Sequence, residues 1–335
     1  MKYLKLLAVA LLHVFLISSC GGNGGGGGGG TTPPGSVQIT KDNAEEVTGK
    51  VVSMTAVVNN LGTTSAIVTG AVVQPSDQRF DLAGFAEWQL LRLVEAQDQL
   101  VSGLVTGVVA EITVQCDNGG SITVRIDDAD NNQQPSSGDT LDIRFNNCFT
   151  AQMGVTLNGE ESITDLIITG NPQAEGAPFS LKAVFTLKNL RVGAIHTIDG
   201  AFSFSESTED GITFTESIST KKLTVTRSVH STTLSDFEQA ETFNKSTGAY
   251  SRAFKGMLTS TKLKGKVTFE MLENFQGLSD DFPSTGVMLI KGNNNSSVKL
   301  TAIDDVFAQL EVDENGDGIV DHVINTTWQG IINKA

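Results

Sequence analysis

The stretch Asp199-Gly200-Ala201-Phe202-Ser203-Phe204-Ser205-Glu206-Ser207-Thr208-Glu209-Asp210-Gly211-Ile212-Thr213-Phe214 decides the fold. Phe202 and Phe204 alternate with serines, and Ile212 and Phe214 bracket a threonine. An Asp-Gly pair opens each run. A period of two, apolar on one side and hydroxylated on the other, is the pattern of a strand with one face in a core. Working outward, Ile122, Val124 and Ile126 repeat it, as do Leu141, Ile143 and Phe145, then Phe185 and Leu187, then Leu223 and Val225. Asn158-Gly159, Asp199-Gly200, Asp210-Gly211 and Lys264-Gly265 read as tight turns, because these pairs tolerate the positive φ of short hairpins. The polar stretch from about Leu234 to Ala249 reads as a long loop. From about Val108 onward the chain is therefore expected to be mainly β, a large curved antiparallel meander, half-barrel or sandwich-like.

Upstream the period changes. Ala44, Val47, Val51, Met54, Val58 and Leu61 recur at helical spacing, with Asp42 and Glu45 as a capping box and Asn59, Asn60 and Gly62 at the end. A second helix is expected from about Asp81 to Ser102, its inner face marked by Leu82, Phe85, Leu93, Leu100 and Leu104 and widened by Trp88 and Leu91, with Gly84 weakening it. These two amphipathic helices, within about 42–104, are the natural cover for the apolar face of an open sheet. In outline the arrangement resembles the half-barrel lipoprotein carriers of the bacterial envelope.

The N-terminus is a targeting segment. Lys2 and Lys5 precede an apolar run from Leu6 to Ile17, interrupted by His13 and too short for a membrane span, which needs about 20 residues. Ile17-Ser18-Ser19-Cys20 follows and resembles the bacterial lipobox. That resemblance implies a signal peptide over 1–19, cleavage before Cys20, and diacylglycerol with palmitate-type acyl chains on Cys20. Residues 20–36 form a tether: nine glycines and Asn23 fill 21–30, then Thr31, Thr32, Pro33, Pro34 and Gly35 extend it. Such a tract spans about 20–24 Å. Gly21, and not Asp, follows the cysteine, which by resemblance to enteric sorting implies an outer-membrane anchor on the periplasmic face or the cell surface. The body, 37–335, is one large β domain or two smaller ones.

Net charge is −15, and loss of Lys2 and Lys5 with the leader leaves −17. That balance excludes nucleic acid as a partner and favours divalent cations. The partners expected are the membrane through the lipid anchor, and a lipid, envelope protein or glycan ligand. Cys116 and Cys148, flanking strand-like runs in an oxidising compartment, are read as a disulfide in preference to two buried thiols.

Two acidic loops are the candidate calcium sites. Asp313, Asn315, Asp317, Gly318 and Asp321 place oxygen donors at alternate positions around a glycine, with the Ile319 carbonyl available, as a hard cation requires. The pattern is similar to the first nine positions of EF-hand and dockerin loops. It departs at the twelfth, where Ile324 stands, and its flanks look like strands. The competing reading is a plain hairpin turn with solvated carboxylates. A weaker second match, Asp128, Asp130, Asn132, Ser136 and Asp139, has Gln133 where glycine is usual and reads more simply as an acidic hairpin loop.

Catalysis finds little support. His196, His230 and His322 have no metal-ligand spacing, and the G-x-S-x-G nucleophile motif is absent. The pairs Glu45-Glu46, Glu160-Glu161 and Asp280-Asp281 are adjacent, so on a strand they face opposite ways. Lys221, Lys222, Lys255, Lys262, Lys264 and Lys266 read as solvated strand faces, or as a patch for an anion such as lipopolysaccharide. The chain is similar in style to uncharacterised β-rich lipoproteins of Gram-negative bacteria. No catalytic residues are assigned. The function expected is a non-enzymatic binding or structural role, calcium-stabilised. The alternative is a carrier holding a lipid or other apolar ligand between the sheet and the stripe Val47-Val51-Met54-Val58.

Overall fold

A computed structural model describes residues 35–58, 81–95, 110–116, 118–130, 136–151, 154–172, 174, 176–194, 196–279 and 281–335. The leader, Cys20 with its lipobox, and the glycine tract lie outside the described residues. So do Asn59, Asn60, Leu61 and Gly62 of the first helix, Leu100, Ser102 and Leu104 of the second, Val108, Asn132 and Gln133 of the weaker acidic loop, and Asp280.

Among the described residues two helices come first, α1 (Ala44–Val58) and α2 (Leu82–Glu95). Fourteen strands follow: β1 (Ala110–Gln115), β2 (Ser121–Asp127), β3 (Thr140–Thr150), β4 (Val155–Gly170), β5 (Phe179–Val192), β6 (His196–Thr208) and β7 (Thr213–Arg227) make the first half. The second half is β8 (His230–Asn244), β9 (Ala249–Ser260), β10 (Gly265–Leu278), β11 (Thr285–Lys291), β12 (Ser297–Ala302), β13 (Phe307–Asp313) and β14 (His322–Thr327). A short helix, α3 (Trp328–Asn333), ends the series. Every strand pairs antiparallel with its chain neighbour, giving one 14-stranded sheet in the order β1 to β14. The sheet is an open curved meander, neither closed into a barrel nor divided into two sheets.

Alternation in the sequence explains the two faces. In β6, Ile198, Phe202 and Phe204 are buried, while Ser205 on the outer face meets Ser217 of β7 at 2.7 Å. Thr224 and Thr233 make the same hydroxyl pair at 2.9 Å. Such cross-strand pairs stabilise the outer face by a few tenths of a kcal/mol to about 1 kcal/mol each. The inner face wraps the helices. α1 packs on β12, β13 and α3, and α2 packs on β6. The stripe Val47, Val51, Met54 and Val58 is fully packed, each residue at most 5% exposed. Phe85 of α2 lies 6.3 Å from Phe145 of β3, and Trp328 of α3 sits edge-on to Phe275 of β10. One continuous core thus runs from Ile126 and Leu141 at one end to Val298 and Leu310 at the other.

Several sequence expectations need correction. Asn158-Gly159 and Asp199-Gly200 are not hairpin turns but lie inside β4 and β6. Gly200 has φ +131°, and a Cβ there would meet the Lys222 carbonyl oxygen. Asp199 Oδ1 accepts the amide of Asn189, a left-handed residue bulged out of β5. Positive φ serves bulges as well as turns, and these bulges bend long strands around the helices. Asp210-Gly211 and Lys264-Gly265 do mark chain reversals. The supposed loop 234–249 is mostly strand β8, its alternation shifted by a bulge at Asp236 (φ +46°). At the start of α1 the reciprocal contact comes from Asn43, whose Oδ1 accepts the Thr40 amide, while Glu45 accepts from Thr326 on β14. The α3 segment was not anticipated: it is six residues long, contains Gly330, and is capped by Thr327 Oγ1 accepting the Gly330 amide.

Candidate functional site

The two acidic loops differ in geometry. In the β2–β3 connection, carboxylate oxygens of Asp128, Asp130 and Asp139 all lie within 4.8 Å of one another. Asp139 is fully buried at the start of the next strand and accepts the amides of Ala129 (3.0 Å) and Ser136 (2.7 Å). Burial pushes its pKa up against the pull of those amides. Ser136 Oγ bridges Asp130 and Asp139, 3.3 Å from each. In the β13–β14 connection the side chains serve the backbone. Asp313 accepts the amides of Gly316 and Gly318, Asn315 accepts that of Asp317, and Asp317 accepts that of Ile319. Asp321 Oδ2 accepts the Glu314 amide across the turn. Gly318 takes φ +84°, the sharp turn its position suggested. Among the described residues, Asp128, Asp130 and Asp139 are the one gathered set of three acidic, histidine or cysteine ligands, so the loop read as weaker is the more convergent in its carboxylates.

Cys116 and Cys148 are joined, with Cα atoms 5.4 Å apart, tying the end of β1 to β3 at the end of these strands away from that loop. His196 and His230 begin strands β6 and β8, and His322 Nε2 is 3.5 Å from Glu314 Oε1. Lys221 pairs with Asp236, Lys255 with Glu238, and Lys262 with Glu46, so half of the lysines proposed as an anion patch are matched by acids.

A different cluster occupies the inner face. In register across four strands stand Glu206 (β6), Glu216 (β7), Glu241 (β8) and Arg252 (β9), each directly opposite the next. Their parity in the pleat turns them inward. Two residues along each strand runs an aromatic row in the same register: Phe179, Thr208, Phe214, Phe243 and Tyr250. Glu87 of α2 comes down over the glutamate row, and a cavity of ≈ 600 Å³ opens between helix, sheet and the β5 approach around Ala174 and Ala177. Arg252 is 2% exposed; its guanidinium binds Glu241 Oε2 at 2.5 Å and lies 5.3 Å from the Tyr250 ring centroid. Glu206 is 9% exposed, and its Oε2 has no hydrogen-bond partner.

Burial dominates the electrostatics. It pushes the Glu206 carboxyl up to about 8, with the neighbouring Glu87 adding to the rise. Glu216 is raised well above the usual carboxylate range by burial and by Glu241, Asp81 and Glu206, with Arg252 opposing. Glu87 is raised by burial and by Asp81. Two residues further along α2, Gln89 Nε2 donates to Glu161 Oε2 (2.5 Å), and burial drives Glu161 to about 8.

Sequence reasoning missed this cluster. The available signal was parity: Glu206 falls in the inward register set by Phe202 and Phe204. Which strands brought their acids together could be known only from the pairing. The chain matches no family model, no curated protein and no solved structure.

Proposed function

We propose that the protein is an envelope lipoprotein, anchored by lipid on Cys20 to the outer membrane and held off it by the glycine tether. Its β-rich body serves a binding or structural role without catalysis, and calcium stiffens its acidic loops. The observation that carries the calcium reading is the convergence of Asp128, Asp130 and Asp139 in the β2–β3 loop, with Asp139 buried beneath it. Oxygens so placed offer a hard cation part of its shell, with backbone carbonyls and water supplying the rest of six to eight ligands. In the loop 313–321, one oxygen each of Asp317 and Asp321 is left over from the backbone contacts.

The test is thermal unfolding in millimolar calcium and in chelator. Calcium should raise the midpoint, and Asp139→Asn should abolish most of the rise. No calcium-dependent shift in the unaltered protein would sink the reading. The anchor is tested separately, by metabolic labelling with a fatty acid, which Cys20→Ser should eliminate. The alternative, a lipid carrier, gains no support from α1, whose stripe is packed; room for a ligand lies instead beside α2.

A further inference from the structure

Three glutamates directly side by side on adjacent strands, with a fourth from a helix above them, oppose folding, because like charges in register repel. A fold selected only for stability would place apolar side chains there, as it largely does in the next inward row, where Phe204, Ile218 and Phe254 stand with Gln239 between the last two. The row contains one cation, Arg252, whose guanidinium binds Glu241 and also acts on Glu216. Among the described residues, Lys245, exposed at the rim, is the positive group that lines the space. At the opposite end, Glu206 Oε2 is buried without a partner, with Glu87 facing it from α2. Buried polar groups left in that condition mark sites where something else supplies the partner.

We propose that the cavity between α2 and strands β5–β8 binds an organic ammonium ion with an apolar body, its nitrogen taken by Glu206 and Glu87 and its body by the rings of Phe179, Phe214 and Phe243. The volume of ≈ 600 Å³ falls within the range of small-molecule pockets, about 300–1,000 Å³. Aromatic faces two residues from carboxylates suit an organic cation, which gains from both the ring quadrupoles and charge-assisted hydrogen bonds. A hard metal ion is a poorer fit, because the glutamates do not bring three ligand oxygens within 4.8 Å of one another.

Protons compete for the same oxygens. Without a cation, burial keeps Glu206 protonated to about 8, in a setting that includes Glu87 from α2 and Asp81 just before it, Glu216 from β7, Glu241 and Lys245 from β8 and its turn, and Arg252 from β9. An incoming ammonium favours the carboxylate, so the carboxyl proton passes to solvent on binding.

The experiment is titration calorimetry of the full chain in chelator, which separates it from the calcium reading. The probe is tryptamine, with indole-3-propionate as the same ring bearing the opposite charge. Tryptamine should bind and indole-3-propionate should not. Affinity should fall at least about tenfold from pH 8 to pH 6, as protons reclaim Glu206. Glu206→Gln should cost about tenfold at pH 8 and flatten that pH dependence. Should this variant fail to fold, Phe214→Leu should weaken tryptamine severalfold while keeping the charge preference. Equal binding of the two indoles, no binding of tryptamine at millimolar concentration, or unchanged affinity in the folded variant tested would each overturn the proposal.

Discussion

Replacing Glu161 by glutamine should stabilise the protein, and by an amount that grows with pH. Glu161 lies on the inner face of β4 between Ile143 of β3 and Leu187 of β5, and Gln89 gives it its one hydrogen bond. Burial moves its pKa from 4.5 to about 8. Between those values the native state holds a proton that the unfolded chain has released, so stability falls as pH rises, by about 1.4 kcal/mol for each pH unit. The contribution is intact below 4.5 and gone above about 8, a total near 5 kcal/mol. Glutamine keeps the shape of the neutral carboxyl and an oxygen for Gln89, but does not titrate. In urea denaturation, the variant and the parent should differ by less than about 1 kcal/mol at pH 5. The variant should lead by about 3 kcal/mol at pH 7 and by more than about 4 kcal/mol at pH 8.5. Other buried acids, Glu206 and Glu216 among them, tilt both profiles alike, so the difference isolates Glu161. Parallel profiles over this range would refute the reasoning and mean that the carboxylate finds water or a cation in its place.

Removing the one buried cation of the glutamate row, by Arg252→Met, should destabilise the protein by at least about 1–3 kcal/mol, because the half-buried Glu241 loses its charge-assisted hydrogen bonds to the guanidinium; combining it with Glu241→Met should recover part of the loss in the same assay. Gly200→Ala should destabilise by at least about 1–3 kcal/mol, since it imposes φ +131° on an L side chain and drives its Cβ onto the Lys222 carbonyl. Cys148→Ser should lower the unfolding free energy by about 3–4 kcal/mol, the chain entropy restored when a loop of sequence separation 32 is opened, and reductant should then have no further effect on the variant.

The fold class was legible because alternation is local. Phe202, Phe204 and their serine partners declare a half-buried strand without reference to anything distant, and the spacing from Ala44 to Val58 declares a helix in the same way. What stayed hidden was where alternation breaks. Asn158-Gly159 and Asp199-Gly200 have the chemistry of turns, and only the flanking register shows them to be bulges. The segment after Leu234 looked like a loop for two reasons: the bulge at Asp236 shifts its phase, and its inward positions carry Gln239 and Glu241 where Phe or Leu would be expected. That failure coincides with the glutamate row, where polar side chains take inward positions. The acidic loops were found by their spacing, but the better match in sequence, 313–321, is not the set whose carboxylates converge. Spacing does not report how a loop divides its oxygens between amides and solvent.

The strand order has a consequence for how the chain reaches this structure. Each strand pairs only with the one before it and the one after, so hairpin by hairpin the sheet can grow in the order of synthesis, with little entropy lost to closing long loops. The exceptions join the first part of the body to the last: residues 36–41 bond to Lys266, Asn293, Ser296 and Glu314, and the C-terminal helix docks on α1. α3 lies on α1, the Ile331 carbonyl against Gly49, and Trp328 is buried with Phe275 and Phe282. Until residues 328–333 arrive, α1 has an uncovered flank, and the growing sheet curls around an unfinished centre. The docking of these six residues is a long-range closure, a latch rather than a zipper. A nick or truncation just before Trp328 would leave every strand pairing intact and still forfeit the closure on which the interior depends.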